Sequence, residues 1–412
     1  MPDIGTPKGA SRAPRERRPL PPAWARARLR DRRVQAALVP VLAVITALVL
    51  GAGVIAVSGG DPLLAYEGLY EGAIGCPGAL SEGRIVPGKL LCGDSLADWL
   101  VTATPYITAG LAVALAFKAG LFNIGVEGQL LAGSLATVWI GYSVTGLPAV
   151  IHAPLALLAG VAAGAAWGAI PGALRAFTGA HEVIVTIMLN YVAATMTSFL
   201  VSGVMKDPGS GAVARTRYIA PAAHLPNLTG DPDVLLHLGI PLAVAVALGV
   251  WWLLYRTTLG YEIRTVGANP HAARYAGIGV ARTIVLTMAM AGGLAGMAGA
   301  VEVQGVNYYH SPSFSVGYGF DSIAIALLGR SSPIGVIPAA LLFGGLRAGA
   351  SRMQFLTQIP ADIIQVIQAL VLIFVAAPAI VRWLYRLRTP RGGAISSDEE
   401  LGIPAAAGEG VI

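Results

Sequence analysis

The chain has 412 residues, of which 55% are hydrophobic and only 12% charged, with a formal net charge of +6. A soluble domain carries about a quarter of its residues as charged side chains, so this composition excludes a water-soluble globular protein and fits an all-α polytopic membrane protein. The six histidines lack metal-ligand spacing, and no nucleophile, base and orienter can be assembled, so no catalytic residue, metal or cofactor is expected.

Residues 1–34 form a basic, Pro-rich arm containing Lys8 and nine arginines. It stands directly before an apolar run of anchor length, which favours a cytoplasmic arm facing anionic lipid over a nucleic-acid arm or a cleaved leader. Residues 35–388 are read as the transmembrane domain. Apolar runs near the roughly 20 residues that a helix needs to cross a bilayer fall at 36–57, 98–117, 124–144, 154–176, 183–204, 237–255, 284–304, 334–351 and 362–382, and a shorter one at 320–329 makes about ten transmembrane helices. With the N-terminus inside, 21 of the 28 Lys and Arg fall on the cytoplasmic side; Arg84, Lys89, Lys206, Arg215, Arg217, Arg347 and Arg352 fall outside. Basic residues accumulate on the cytoplasmic side of short loops, so both termini are placed in the cytoplasm. The tail at 389–412 reads as disordered.

Cys76 and Cys92 share the first outer loop, where either a disulfide or two free thiols is open. In the same loop Gly83–Lys89 imitates a phosphate-binding loop, but Leu90 stands where Ser or Thr is required and Pro87 removes an amide. ATP hydrolysis is therefore not expected in this chain.

The segment from Phe117 to Gln129 places Lys118, Asn123, Glu127, Gln129 and three glycines between apolar runs. Such groups at membrane depth face a bundle interior or a water-filled path. Asn123, Glu127 and Gln129 are therefore candidate path residues, with pairing to Lys118 an alternative for Glu127. On the fourth run Gly160, Gly164, Gly168 and Gly172 make a smooth stripe, repeated by Gly292, Gly296 and Ala300 on the seventh. Close packing inside the bundle follows. On the fifth run Thr186, Asn190 and Thr197 share a face, with Asn190 about 12 Å along the helix. Thr186 and Asn190 join the path candidates, with interhelical hydrogen bonding the competing role. Glu302 and Gln304 weakly echo Glu127 and Gln129 at an offset of 175. Asp321 is read as a helix N-cap or as a path residue.

Residues 256–283 form the longest internal polar connection. Within it Asn269 to Gly277 reads as a miniature helix, with Asn269 as N-cap, Pro270 in the first turn and Gly277 as left-handed terminator. A helix this short is not stable alone in water. It needs a surface, and Ala272 and Ala276 permit close approach while Arg274 can meet a carboxylate.

Three motifs carry a resemblance: Ala119-Gly-Leu-Phe-Asn-Ile-Gly-Val-Glu-Gly-Gln129, Gly267-Ala-Asn-Pro270 through Ala276-Gly-Ile278, and Gly319-Phe-Asp-Ser-Ile-Ala-Ile-Ala-Leu-Leu-Gly329. Over most of residues 96–385 the chain resembles the permease subunits of ABC-type importers for nucleosides, simple sugars and, more distantly, branched-chain amino acids. Its Asn-Ile-Gly-Val-Glu-Gly-Gln form looks most like the nucleoside branch, with a ribose-like sugar importer the rival. The resemblance implies a multi-pass protein of the cytoplasmic (inner) membrane, cytoplasmic ATP-binding subunits, a second permease subunit and an extracytoplasmic solute-binding lipoprotein, without nucleic acid. It further implies that Gly267, Asn269, Pro270, Ala272, Arg274, Ala276 and Gly277 couple to the ATPase. An ion-coupled secondary transporter using Glu127, Lys118, Glu302 and Asp321 is the alternative of a different class.

Overall fold

The computed structural model describes residues 32–76, 92–230, 234–314 and 317–386. The Gly83–Lys89 motif, most of the basic arm and the acidic tail lie outside them. Among the described residues there is no strand, only two isolated antiparallel bridges, Lys206 with Thr216 and Asn227 with His237. The chain is an all-α polytopic membrane protein. Among the described residues, seven helices are long and apolar enough to cross a bilayer, or eight when one sharply bent pair is taken as a single span.

The first helices are α1 (Arg32–Val57), α2 (Pro62–Ala73), α3 (Gly93–Lys118), α4 (Val126–Ser143), α5 (Ala149–Thr178), α6 (Glu182–Ser202) and α7 (Gly239–Arg256). They are followed by α8 (Thr258–Ala268), α9 (Pro270–Tyr275), α10 (Val280–Glu302) with a π-helical extension Val303–Asn307, α11 (Tyr318–Leu328), α12 (Pro333–Thr357), α13 (Ile363–Ala376) and α14 (Pro378–Leu384). Helix α3 is the axis, with every residue from Ala103 to Phe117 buried. Its run of small residues, Ala109, Ala112, Ala114 and Ala116, lets neighbours approach from every side.

The two glycine stripes meet each other. A Cβ on Gly292 would strike the carbonyl oxygen of Gly164, and one on Gly164 would strike the carbonyl of Gly292; one on Gly296 would strike the carbonyl of Gly160. Helices α5 and α10 therefore touch backbone to backbone, and α4 joins them where Gly133 lies on Gly296.

Cys76 and Cys92 are disulfide-bonded, with Cα atoms 5.1 Å apart. The bond ties the end of α2 to the start of α3. Helix α2 is absent from the hydropathy pattern, although Asp61 caps it through Leu63 N–H at 2.8 Å and Pro62 opens it. It packs on α12, where Glu71, almost fully buried, pairs with Arg352 at 3.2 Å.

Two expectations are corrected. The run 362–382 is broken: α13 and α14 meet at 87°, because Pro378 cannot continue the α13 hydrogen-bond ladder. The run 334–351 continues to Thr357, so Arg352, counted outside with Arg347, stands five residues before the end of α12, and Arg347 ten residues, about 15 Å, before it. The weak echo at offset 175 has no counterpart in the backbone, since 119–125 is a helix break whereas 294–300 lies inside α10.

Candidate translocation site

Helix α3 ends in a tight cap. Gly120, at φ +73°, directs its N–H to Phe117 O, while Leu121 N–H bonds Ala116 O at 3.0 Å. The chain then turns back into the bundle as non-helical backbone until α4 begins. Four amide and hydroxyl side chains make this possible. Asn123 and Gln129 exchange two hydrogen bonds, at 3.0 and 3.1 Å, and Asn123 Oδ1 also accepts Gly125 N–H at 3.1 Å. Helix α4 has a glycine, Gly125, at its N-cap and so no side-chain cap of its own. Asn190 of α6 supplies it in trans: its Oδ1 accepts Gly128 N–H and its Nδ2 donates to Ile124 O, both at 2.9 Å. Thr186 packs against Gly125 and bonds its own helix at Glu182 O. Asn123, Gln129, Thr186 and Asn190 are all buried.

Because Asn190 stands eight residues into α6, helix α4 starts about 12 Å from the α6 terminus, inside the bundle. A second helix terminus meets it there. The 11-residue α11 rises about 16 Å, half of the roughly 30 Å hydrocarbon thickness. Its Gly319 N–H donates to Glu127 Oε2 at 2.8 Å. A Cβ on Gly319 would collide with the backbone nitrogen of Glu127, so only glycine permits this approach. Both helix N-termini thus direct their partial positive charge at one carboxylate.

Asp321 is not the N-cap of α11. The helix starts at Tyr318 after Gly317 (φ +93°), and Asp321 stands in its first turn, where it accepts the Tyr106 hydroxyl at 2.8 Å. The sequence reading also missed Tyr106, Tyr318 and Arg347. The signal for Arg347 was its place in an otherwise apolar run. Glu127, Asp321 and Arg347 remain partly exposed, unlike the four buried polar residues beside them. An ionised group facing lipid at this depth costs about 3 kcal/mol or more, so this open side meets water or protein.

The loop 256–283 is joined directly to this break. Gly267 of α8 lies on the Lys118 carbonyl, where no side chain would fit. Asn269 then caps α9 by accepting His271 and Ala272 N–H, each at 3.0 Å, and Gly277, at φ +80°, ends it. Ala273 is buried, whereas Asn269, Pro270, Ala272, Arg274, Ala276 and Gly277 are exposed, with Tyr275 at 95%. The helix rests on the bundle by one methyl group and presents the rest.

At the disulfide-bearing face, three histidines pack around the π-helical end of α10. His237 Nδ1 accepts Gly239 N–H at 3.0 Å, which places its proton on Nε2, against Gly305 and without an acceptor. Ser134 donates to Leu131 O, so His310 must donate Nε2–H to Ser134 Oγ at 2.9 Å, leaving Nδ1 as a bare buried acceptor. His224 stacks on Tyr308 at 4.1 Å. Burial holds all three below the usual histidine value, His237 and His310 at about 4. The unfolded chain therefore binds more protons between pH 6.5 and 4, and stability present at neutral pH falls across that window. Acidification from pH 7.5 to 5 is expected to lower the stability of detergent-solubilised protein by about 2 kcal/mol for each of His237 and His310. His310→Gln should remove part of this slope; a thermal midpoint independent of pH would contradict the assignment.

The family model of the branched-chain amino acid transport system permease component matches residues 95–376. The chain belongs to this permease family. The permease is similar, at 42% identity over 357 residues, to the guanosine ABC transporter permease protein NupP of Bacillus subtilis, covering 86% of this chain and 97% of the relative. It is 35% identical over 378 residues to the nucleoside ABC transporter permease protein NupB of Lactococcus lactis, with 90% and 97% covered. Against the ribose import permease protein RbsC of Escherichia coli it is 30% identical over 235 residues, 54% of this chain and 67% of the relative.

Proposed function

We propose that this permease forms, with an identical or homologous second permease subunit, the membrane path of an ATP-driven importer for nucleosides. The observation that carries the transport reading is the partly open carboxylate pair Glu127 and Asp321, held inside the bundle by a purpose-built helix break. Asn123, Gln129, Thr186 and Asn190 border that path by shaping the break. The nucleoside assignment rests on the relatives named for guanosine and nucleosides, whose matches span most of both chains. The more distant ribose permease favours a simple sugar as the second reading.

In this reading the protein sits in the cytoplasmic membrane with about ten membrane helices and both termini inside. The arm 1–34 faces anionic lipid, 35–388 is the permease domain and 389–412 a cytoplasmic tail. Separate ATP-binding subunits hydrolyse ATP, and an extracytoplasmic binding protein delivers the solute. The ATPase grips α9 through Asn269, Pro270, Ala272, Arg274, Ala276 and Gly277. Gly267 then passes the displacement to the end of α3 and the adjoining break. Deleting residues 269–277 is expected to leave normal amounts of protein in the membrane while reducing ATP-dependent uptake at least tenfold. Normal uptake by that deletion, or uphill uptake by the purified chain without nucleotide, refutes the coupling role.

A further inference from the structure

The polar network extends beyond Glu127 and Asp321. Tyr106 of α3 donates to Asp321 Oδ2 at 2.8 Å, and its ring packs edge-on against Tyr318 at 4.9 Å and Phe343 at 6.4 Å. The Arg347 guanidinium of α12 lies 5.5 Å from the Tyr318 ring centre, close enough to interact with Tyr106 and Asp321 as well. Glu302, in the last turn of α10, accepts Asn307 Nδ2 at 3.1 Å and lies close to Tyr318. Helices α3, α10, α11 and α12 thus converge on one cluster of acids, phenols and a guanidinium.

Its exposed rim has a definite chemistry. Glu127 is fixed to Gly319, Asp321 lies two residues further along, and Phe320 between them is 52% exposed. Carboxylates accept hydroxyl protons, and an aromatic face suits the C–H side of a sugar ring. Carboxylates also accept the N–H groups of a base, so a comparison of bases separates that reading from the sugar. We propose that Glu127 and Asp321, on either side of Phe320, read the sugar hydroxyls of the passing solute, with Tyr106 and Arg347 as positioning residues that hold the Asp321 carboxylate at the opening.

This inference rests on the reading that the path carries a hydroxylated solute. A site built to bond a hydroxyl discriminates strongly against the analogue that lacks it. The test is import into proteoliposomes by the complete transporter, with its ATPase and binding protein, comparing guanosine with 2′,3′-dideoxyguanosine. Both forms of the permease are fed by the same binding protein, so a change in the ratio between wild type and variant belongs to the permease. Asp321→Asn is expected to shrink the ratio at least about fivefold, mainly in turnover, and Tyr106→Phe about twofold in the same direction. The ratio of guanosine to inosine, which differ in the base, should stay constant. A merely structural role would lower all rates together and leave both ratios unchanged, which overturns the proposal. So does an equal change in the base ratio. Should Asp321→Asn fail to assemble, Tyr106→Phe decides alone, since it deletes one oxygen and keeps the ring packing. If the wild type imports no nucleoside, the nucleoside reading fails by itself, and ribose against 2-deoxyribose on the same variants decides the hydroxyl reading.

Discussion

Replacing Asn190 with leucine is expected to produce one of the largest losses of stability available to a single polar substitution in this permease. The side chains are similar in size, so packing is nearly preserved. What disappears is the acceptor for Gly128 N–H and the donor for Ile124 O, both buried. Each orphaned group costs about 1–3 kcal/mol, giving a loss of about 2–6 kcal/mol. Thermal unfolding of the solubilised protein measures it. The control lies two turns along the same face: Thr197 is buried and its hydroxyl has no partner, so Thr197→Val is expected to be neutral or stabilising. Equal midpoints for Asn190→Leu and Thr197→Val would falsify the trans-capping role.

Gly292→Val is expected to prevent folded protein from accumulating. The added atoms would occupy the position of the Gly164 carbonyl, which is backbone and cannot rotate away. Helices α5 and α10 would have to separate along the whole stripe, so the loss reaches or exceeds the roughly 3 kcal/mol upper range of ordinary overpacking. Gly249 on α7 has open space around it. There Gly249→Ala should be harmless or stabilise by up to about 1 kcal/mol, because alanine restricts the unfolded chain and favours helix. Comparing the yield of monodisperse protein for the two variants checks the claim. Similar yields would show that the stripes do not carry the contact.

The parts of the fold legible in the sequence are those encoded by neighbouring residues. Asn269, Pro270 and Gly277 specify α9 within nine positions, and the structure forms it with that cap and that terminator. The glycine stripes announce a smooth helical face because spacing four returns to the same side of a helix. Their pairing with each other is a tertiary fact. What escaped depends on partners distant in sequence. Arg347 counts only as an outer charge until the Tyr318 ring of α11 lies beside it, and Asp321 reads as a cap until Tyr106, 215 residues away, claims its carboxylate. Helix α2 escaped because it is too short for a membrane run, despite the plain Asp61-Pro62 opening.

At the break, the amides explain themselves only in pairs. Asn123 and Gln129 are six residues apart and could be matched by inspection, whereas Asn190 belongs to the next helix but one. Sequence alone left it between a structural and a path-lining role. Its two hydrogen bonds tie it to the break, beside which Glu127 and Asp321 are partly exposed.

One consequence follows from the borrowed cap. Because α4 has no side chain of its own to close its first turn, its starting point is defined by the rotational setting of α6. A rotation of α6 by a single residue, about 100°, would withdraw the amide from both Gly128 and Ile124 at once. During any cycle of opening, these two helices are therefore confined to travel as a unit, and the give in the molecule must come from elements that share no such clasp.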